Sequence, residues 1–144
     1  LSEKIWKPYG MEADALWMMA GGRPTGGSGL SMRLRDFARF GQFFMDGGLA
    51  GGKPVLPDGW TREATQAVLP TGWGDIGYGY QWWINPDGSY RALGIFGQLI
   101  FIDPKAKLLI VAVSAWPRAD AQPQYHVEDA YIAAVRAAVA QPQP

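Results

Sequence analysis

The chain has 144 residues, 48% of them hydrophobic and 18% charged, enough apolar material for a domain with a real core. Thirteen basic and thirteen acidic residues give a formal net charge of zero without any basic run, which argues against an electrostatic nucleic-acid or membrane-surface partner. Cysteine is absent, which removes disulfides, a thiol nucleophile and cysteine metal sites, and no stretch approaches the roughly 18 apolar residues that cross a bilayer.

Leu1 to Lys7 reads as the last turns of a helix stopped by Pro8 and Gly10, an opening that has the character of a fragment. Residues 11–30 read as a long loop, because five glycines bracket Pro24 and leave little that packs. A helix is predicted from Met32 to Asp46, with Ser31 as N-cap and Gly47 and Gly48 past its end. Leu34, Phe37, Ala38, Phe40, Phe44 and Met45 form its apolar side, and Arg33, Arg35, Asp36 and Arg39 its wet side. A second helix is expected from Pro57-Asp58 to Ala67.

The aromatic stretch from Tyr78 to Ile84 reads as a strand, followed by a turn at Asn85-Pro-Asp-Gly88 and a further strand over Ser89 to Leu93. Leu99 to Ile102 and Leu108 to Val113 are apolar, β-branched-rich runs joined by Asp103-Pro-Lys-Ala-Lys107, a β-hairpin with lysines on its exposed side. Both runs are apolar almost throughout, which predicts a sheet covered on both faces. Gly94 and Gly97 stand at the entrance to this hairpin, where a missing Cβ allows either tight packing or the close approach of a backbone or ligand. The last helix is expected from about Val127 to Val139, with Tyr131, Ile132, Val135 and Val139 packing and residues 140–144 as a tail. No internal repeat or second domain is visible, so residues 1–144 read as one partial domain.

Four ordered stretches carry a resemblance: Lys4-Ile-Trp-Lys-Pro-Tyr-Gly-Met11, Gly26 to Gly41, Gly77-Tyr-Gly-Tyr-Gln-Trp-Trp83, and Gly94 to Pro104. Together they resemble the β-lactamase-related serine hydrolases, a family of class C β-lactamases, D-aminopeptidases, penicillin-binding-protein-like esterases and 6-aminohexanoate-dimer hydrolases, the last being nearest in look. The resemblance implies an α+β fold, a largely antiparallel sheet flanked by helices, of the β-lactamase/transpeptidase type. It also implies acyl transfer from an amide or ester to water through an acyl-enzyme, without metal or organic cofactor. Such enzymes use a Ser-x-x-Lys nucleophile assisted by a Tyr-x-Asn tyrosine. Neither motif occurs here: no Lys stands three residues after any of the five serines, and no Asn two after any tyrosine. The resemblance therefore implies the C-terminal part of a larger enzyme, with its missing N-terminal portion as a partner, and an isolated chain that is inactive and prone to self-association through an exposed sheet edge.

The family's third motif, Lys-Thr-Gly or His-x-Gly, falls on Ala92-Leu93-Gly94. Ala92 and Leu93 stand where cationic and hydroxyl side chains would grip a substrate carboxylate, which implies a small-molecule amide or ester of different charge from a penicillin. Gly94 keeps the backbone requirement, and the resemblance makes the Ile95 N–H an oxyanion-hole donor. Tyr80, Trp82, Phe96 and Trp17 are candidate substrate-binding residues, with Asp14 and Trp17 on a rim or lid. His126, the one histidine, reads as solvated at the start of the last helix, and one His without Cys argues against a transition-metal site. The competing reading is a non-catalytic binding module in which seven tryptophans stack on sugars or peptides, and a third is a degenerate homologue kept as a regulator. The compartment, cytoplasmic or periplasmic, stays open.

Overall fold

A computed structural model describes residues 1–141. The chain divides into two compact units, Leu1–Ala64 and Thr65–Pro144.

In the first unit a π-helical stretch, Ser2–Trp6, runs into the single turn α1, Lys7–Tyr9, and ends at Gly10 in the left-handed conformation (φ +78°). Pro8 does not stop the helix. It occupies the first turn of α1, where a missing N–H costs nothing. Residues 11–30 fold back rather than wander. Strand β1 (Leu16–Trp17) pairs with β4 (Leu30–Ser31), and β2 (Met19–Ala20) pairs with β3 (Arg23–Pro24), both antiparallel. Because Ser31 is drawn into that ladder opposite Leu16, it does not cap the next helix. Helix α2 spans Leu34–Met45 with Arg33 at the N-cap and no side-chain capping bond. It is followed by the β5 (Leu49–Ala50) and β6 (Lys53–Pro54) ladder and by α3, Trp60–Ala64, shorter at both ends than expected.

The buried stripe of α2 is rotated from the predicted one. Phe43 and Phe44 are buried, Leu34 is exposed, and Asp36, expected in water, is completely buried. The backbone of residues 12 and 13 supplies the reason. The Glu12 N–H donates to Asp36 Oδ1 (2.8 Å) and the Ala13 N–H to Oδ2 (3.2 Å), while Arg39 Nη1 donates to Oδ1 (2.8 Å). Glu12 in turn pairs with Arg33 and Arg39. Trp6 closes the same corner, its indole N–H donating to the Ala13 carbonyl (2.8 Å). Tyr9 meets Phe43 edge-on, with ring centroids 5.5 Å apart.

The second unit is a six-stranded antiparallel sheet. Strands β7 (Leu69–Pro70), β8 (Gly77–Tyr78), β9 (Trp83–Ile84), β10 (Tyr90–Gly94), β11 (Gln98–Asp103) and β12 (Leu108–Val113) lie side by side in chain order. Helix α4 spans Gln122–Ala140, starting one and a half turns before the predicted Val127. Of the tail expected over 140–144, residues 142–144 lie outside the described residues.

The register explains the core. Arg91 faces Phe101 and Leu93 faces Leu99, and these face Ile110 and Ala112, so one sheet face carries Leu93, Leu99, Phe101, Leu108, Ile110 and Ala112. Ile132 and Val135 of α4 pack on that face. Each such side chain taken out of water contributes about 1.5–3 kcal/mol. Tyr131 and Val139, expected to pack, lie half or more exposed. The hairpin runs differ in position: β11 is central and buried, whereas β12 is the sheet edge among the described residues and is only partly covered. The expectation of full cover on both faces therefore holds for β11 alone.

Arg136 fastens α4 to the turns at one end of the sheet, with Nη2 2.8 Å from both Asp87 Oδ2 and Asp103 Oδ2. Burial pushes the Asp87 carboxyl up, but the Ser89 hydroxyl and N–H and the Arg136 guanidinium more than reverse this and hold it at about 2. Arg91 makes a second tie, from β10 to Asp129 of α4 (2.5 Å).

Asp36 is the testable anchor of the first unit. Burial pushes its carboxyl up, but the Glu12 N–H, Arg39 and the Ala13 N–H together hold it below the ordinary carboxylate range. Asp36→Ala is expected to cost about 3 kcal/mol at neutral pH, since two part-buried backbone hydrogen bonds and a guanidinium lose their acceptor. A depressed folded-state value means that the contribution is complete above the unfolded value of about 3.9 and is lost as the pH falls below it. Urea midpoints of wild type and variant, measured at neutral pH and at about pH 3, should converge on acidification.

Candidate active site

The site is built from the connection between β10 and β11. Gly94 ends β10, and Gly97 (φ +86°) turns the chain so that its N–H donates back to the Gly94 carbonyl (3.0 Å). Three successive carbonyls of this turn are bound by the segment after β12. Ile95 accepts from the Asp120 N–H (2.9 Å), Phe96 from Trp116 (3.2 Å) and Gly97 from Ser114 (2.9 Å). Gln98 closes the other side, its Oε1 accepting from the Phe96 N–H (3.3 Å) and its Nε2 donating to the Ser114 carbonyl (3.2 Å).

One amide is left over. Among the described residues the Ile95 N–H has no partner, and Ile95 is 53% exposed. The trans peptide bond points that N–H opposite to the Gly94 carbonyl, whose direction the Gly97 bond sets. An N–H held in a bonded turn and left without a partner is a donor available to a ligand.

Both glycines are required by close approach within the chain. A Cβ on Gly94 would stand 2.3 Å from Gln98 Oε1, and one on Gly97 would stand 2.4 Å from Trp116 Nε1. The tight-packing reading of these glycines thus describes their surroundings, and the packed atoms are the ones that hold the turn.

Gly94, Ile95 and Phe96 share this turn, and Phe96 is 44% exposed. Tyr80 and Trp82 do not lie on one alternating strand. Residues 79–82 are a tight turn between β8 and β9, closed by the Gly79 N–H donating to the Trp82 carbonyl (2.9 Å), with Gln81 at φ +67°. The reversal sends Tyr80 outward and Trp82 inward, where it meets Tyr90 edge-on at 5.0 Å. Trp17 belongs to the first unit, on β1, where its indole N–H donates to the Thr25 carbonyl (2.9 Å). His126 is exposed on α4.

The sequence reading did not find Gln98, Trp116 or Asp120. Only the glycine at 94 hinted at Gln98, since it makes room for that carboxamide. Ala92 and Leu93 precede the turn, and Leu93 packs into the core under α4, so no cation stands at either position. Among the described residues, no three His, Asp or Glu side chains gather as a metal site.

An antiparallel sheet with helices, in which a central strand ends in a pinned glycine turn, is an α+β arrangement of the β-lactamase type. The β-lactamase family model matches residues 2–134, and the chain belongs to that family. The 6-aminohexanoate-dimer hydrolase of Paenarthrobacter ureafaciens is 33% identical over 132 residues, which make up 83% of this chain and 34% of that protein. A solved structure from Bacillus anthracis, carrying a provisional 6-aminohexanoate-dimer hydrolase name, is 33% identical and superposes with a TM-score of 0.82. That match covers 99% of this chain and 38% of the other. The chain thus spans little more than a third of the length of these relatives.

Gly97→Ala is expected to destabilise the second unit by at least about 2 kcal/mol, because a Cβ is strained at this φ and overlaps the Trp116 ring. In a double-mutant cycle with Trp116→Ala the joint cost should fall below the sum of the single costs, since only the overlap is relieved. Thermal melts of the four proteins measure it.

Proposed function

We propose that this chain is the C-terminal part of a serine hydrolase that cleaves an amide or ester through an acyl-enzyme. The observation that carries the reading is the Ile95 N–H, unpaired among the described residues in a turn whose following two amides, Phe96 and Gly97, are both bonded. In this mechanism a serine outside these residues attacks the substrate carbonyl, and the negative charge that forms on the carbonyl oxygen is met by the Ile95 N–H together with a donor beside that serine. The tetrahedral species expels the alcohol or amine, and water then attacks the acyl-enzyme against the same donors. A backbone donor tolerates any side chain, which is why Ile95 can be apolar.

The 6-aminohexanoate-dimer hydrolase name of the relatives supports an amide substrate, and the apolar Ala92-Leu93 pair supports one not gripped there through its carboxylate. Phe96, in the same turn as the donor, and Tyr80, exposed at the β8–β9 turn, are proposed to wall the acyl group. Trp82 would support that wall from beneath rather than touch substrate. The partner of β12 is the remaining, N-terminal portion of the same protein. Its apolar edge, with Val113 54% exposed, supports this, as does the short span relative to the relatives, and self-association of the isolated chain follows from the same edge.

The aromatic binding-module reading requires a platform of exposed coplanar rings. Trp73 and Trp83 are nearly parallel, but they stack on each other at 4.5 Å and 10°, and Trp82 is buried. Each of the stacked pair gives one face to the other.

In the complete protein, a fluorophosphonate probe followed by peptide mapping should label a serine outside these 144 residues, and label on Ser2, Ser28, Ser31, Ser89 or Ser114 would sink the assignment. Ile95→Ala should retain ester hydrolysis, while Ile95→Pro, which removes the N–H, should lower kcat by about 10²- to 10³-fold. Circular dichroism of Ile95→Pro separates loss of the donor from loss of the fold.

A further inference from the structure

We propose that Gln98 is a positioning residue for the acyl-transfer step, its carboxamide fixing the turn so that Ile95 alone presents a free N–H to the oxyanion. The inference rests on the reading of Ile95 given above.

Four residues, 94–97, reverse the chain, and their amides have three different fates. Gly97 N–H is used inside the turn, Phe96 N–H is used by Gln98, and Ile95 N–H is unused among the described residues. The peptide joining Ile95 to Phe96 is held on both sides, its carbonyl by the Asp120 N–H and its N–H by Gln98 Oε1. That peptide follows directly on Ile95, so holding it limits rotation about the Ile95 Cα, on which the direction of the Ile95 N–H depends. The other end of the carboxamide is tied to the Ser114 carbonyl, at the end of β12. Gln98 thus bridges the turn and a strand two places across the sheet from β10. Both functions of the amide are used, one as acceptor and one as donor, which no other side chain of this length supplies except a protonated Glu. Gly94 completes the arrangement, since any Cβ there would displace the carboxamide oxygen. Ile95 and Phe96 point outward and are free to meet substrate because the turn is held without them.

The loss of this bridge frees a second N–H beside the first and lets both amides turn. Binding of uncharged substrate changes little, and stabilisation of the charged tetrahedral species is reduced.

The test uses the complete protein with p-nitrophenyl acetate and three forms: wild type, Gln98→Met and Gln98→Glu. Gln98→Met keeps the volume without either hydrogen bond and is expected to lower kcat by about 10- to 10²-fold, below the loss on removing an oxyanion donor outright, with KM near wild type. Gln98→Glu gives the distinguishing readout. As a carboxylate it accepts from Phe96 but repels the Ser114 carbonyl, and as a carboxylic acid it restores both bonds. Its kcat relative to wild type should therefore rise as the pH falls toward the carboxyl range, while the relative kcat of Gln98→Met stays flat. Unchanged kcat in Gln98→Met, or a flat ratio for Gln98→Glu, overturns the proposal.

Amide exchange measured by NMR separates this inference from the reading it rests on. A Phe96 amide protected in wild type and exposed in Gln98→Met, beside an Ile95 amide exchanging freely in both, supports the bridge even if the wild type hydrolyses no ester, in which case the hydrolase reading fails. A Phe96 amide that exchanges freely in wild type overturns the bridge whatever the activity.

Discussion

The turn between β10 and β11 reverses the chain in four residues, and much of the second unit is bonded to it, while among the described residues the Ile95 amide has no partner. Unpaired N–H groups in protein interiors are costly, and this one belongs to a residue that is 53% exposed. The carbonyls of residues 95–97 are bound by residues 120, 116 and 114, and the Phe96 and Gly97 amides by Gln98 and the Gly94 carbonyl. A short loop with so many bonds resists rearrangement, which is the preorganisation that the proposed acyl transfer would draw on. The segment 114–120 has its course between β12 and α4 set by the need to reach those carbonyls.

Polar anchors also hold the elements that the apolar core leaves free to slide. On the sheet face, Ile132 and Val135 supply area but no register, because apolar contacts are non-directional. Arg136 and Arg91 supply the direction, one gripping the turns at Asp87 and Asp103, the other gripping Asp129. The first unit does the same with a single buried carboxylate. Asp36 ties the start of residues 11–30 to α2, and the stretch that looked structureless is pinned at its first residues by that side chain and at its ends by the β1–β4 ladder.

The aromatic residues divide between these tasks. Trp6 and Trp82 are core, Trp73 and Trp83 stack together, and Trp116 fills the space that Gly97 leaves while meeting Tyr125 edge-on at 4.8 Å. Rings that pack on each other have little face left for a ligand. Two of the exposed rings, Phe96 and Tyr80, stand on turns, where a side chain reaches outward without opening the core.

By itself the sequence determined the local matters: the hairpin of β11 and β12 from two β-branched runs, the turns at Pro86 and Pro104, and the end of α2 at Gly47. These follow from backbone propensity and short-range pattern, which act within a few residues. Tertiary structure decided what depends on distant partners. Asp36 lies buried because residues 12 and 13 bring it donors, the 78–84 stretch bends because β8 and β9 pair with each other, and β12 is an edge because nothing among the described residues pairs beyond it. Gln98 was invisible for the same reason: a glutamine in a strand reads as a surface residue until the Ser114 carbonyl, sixteen positions away, is found at its nitrogen.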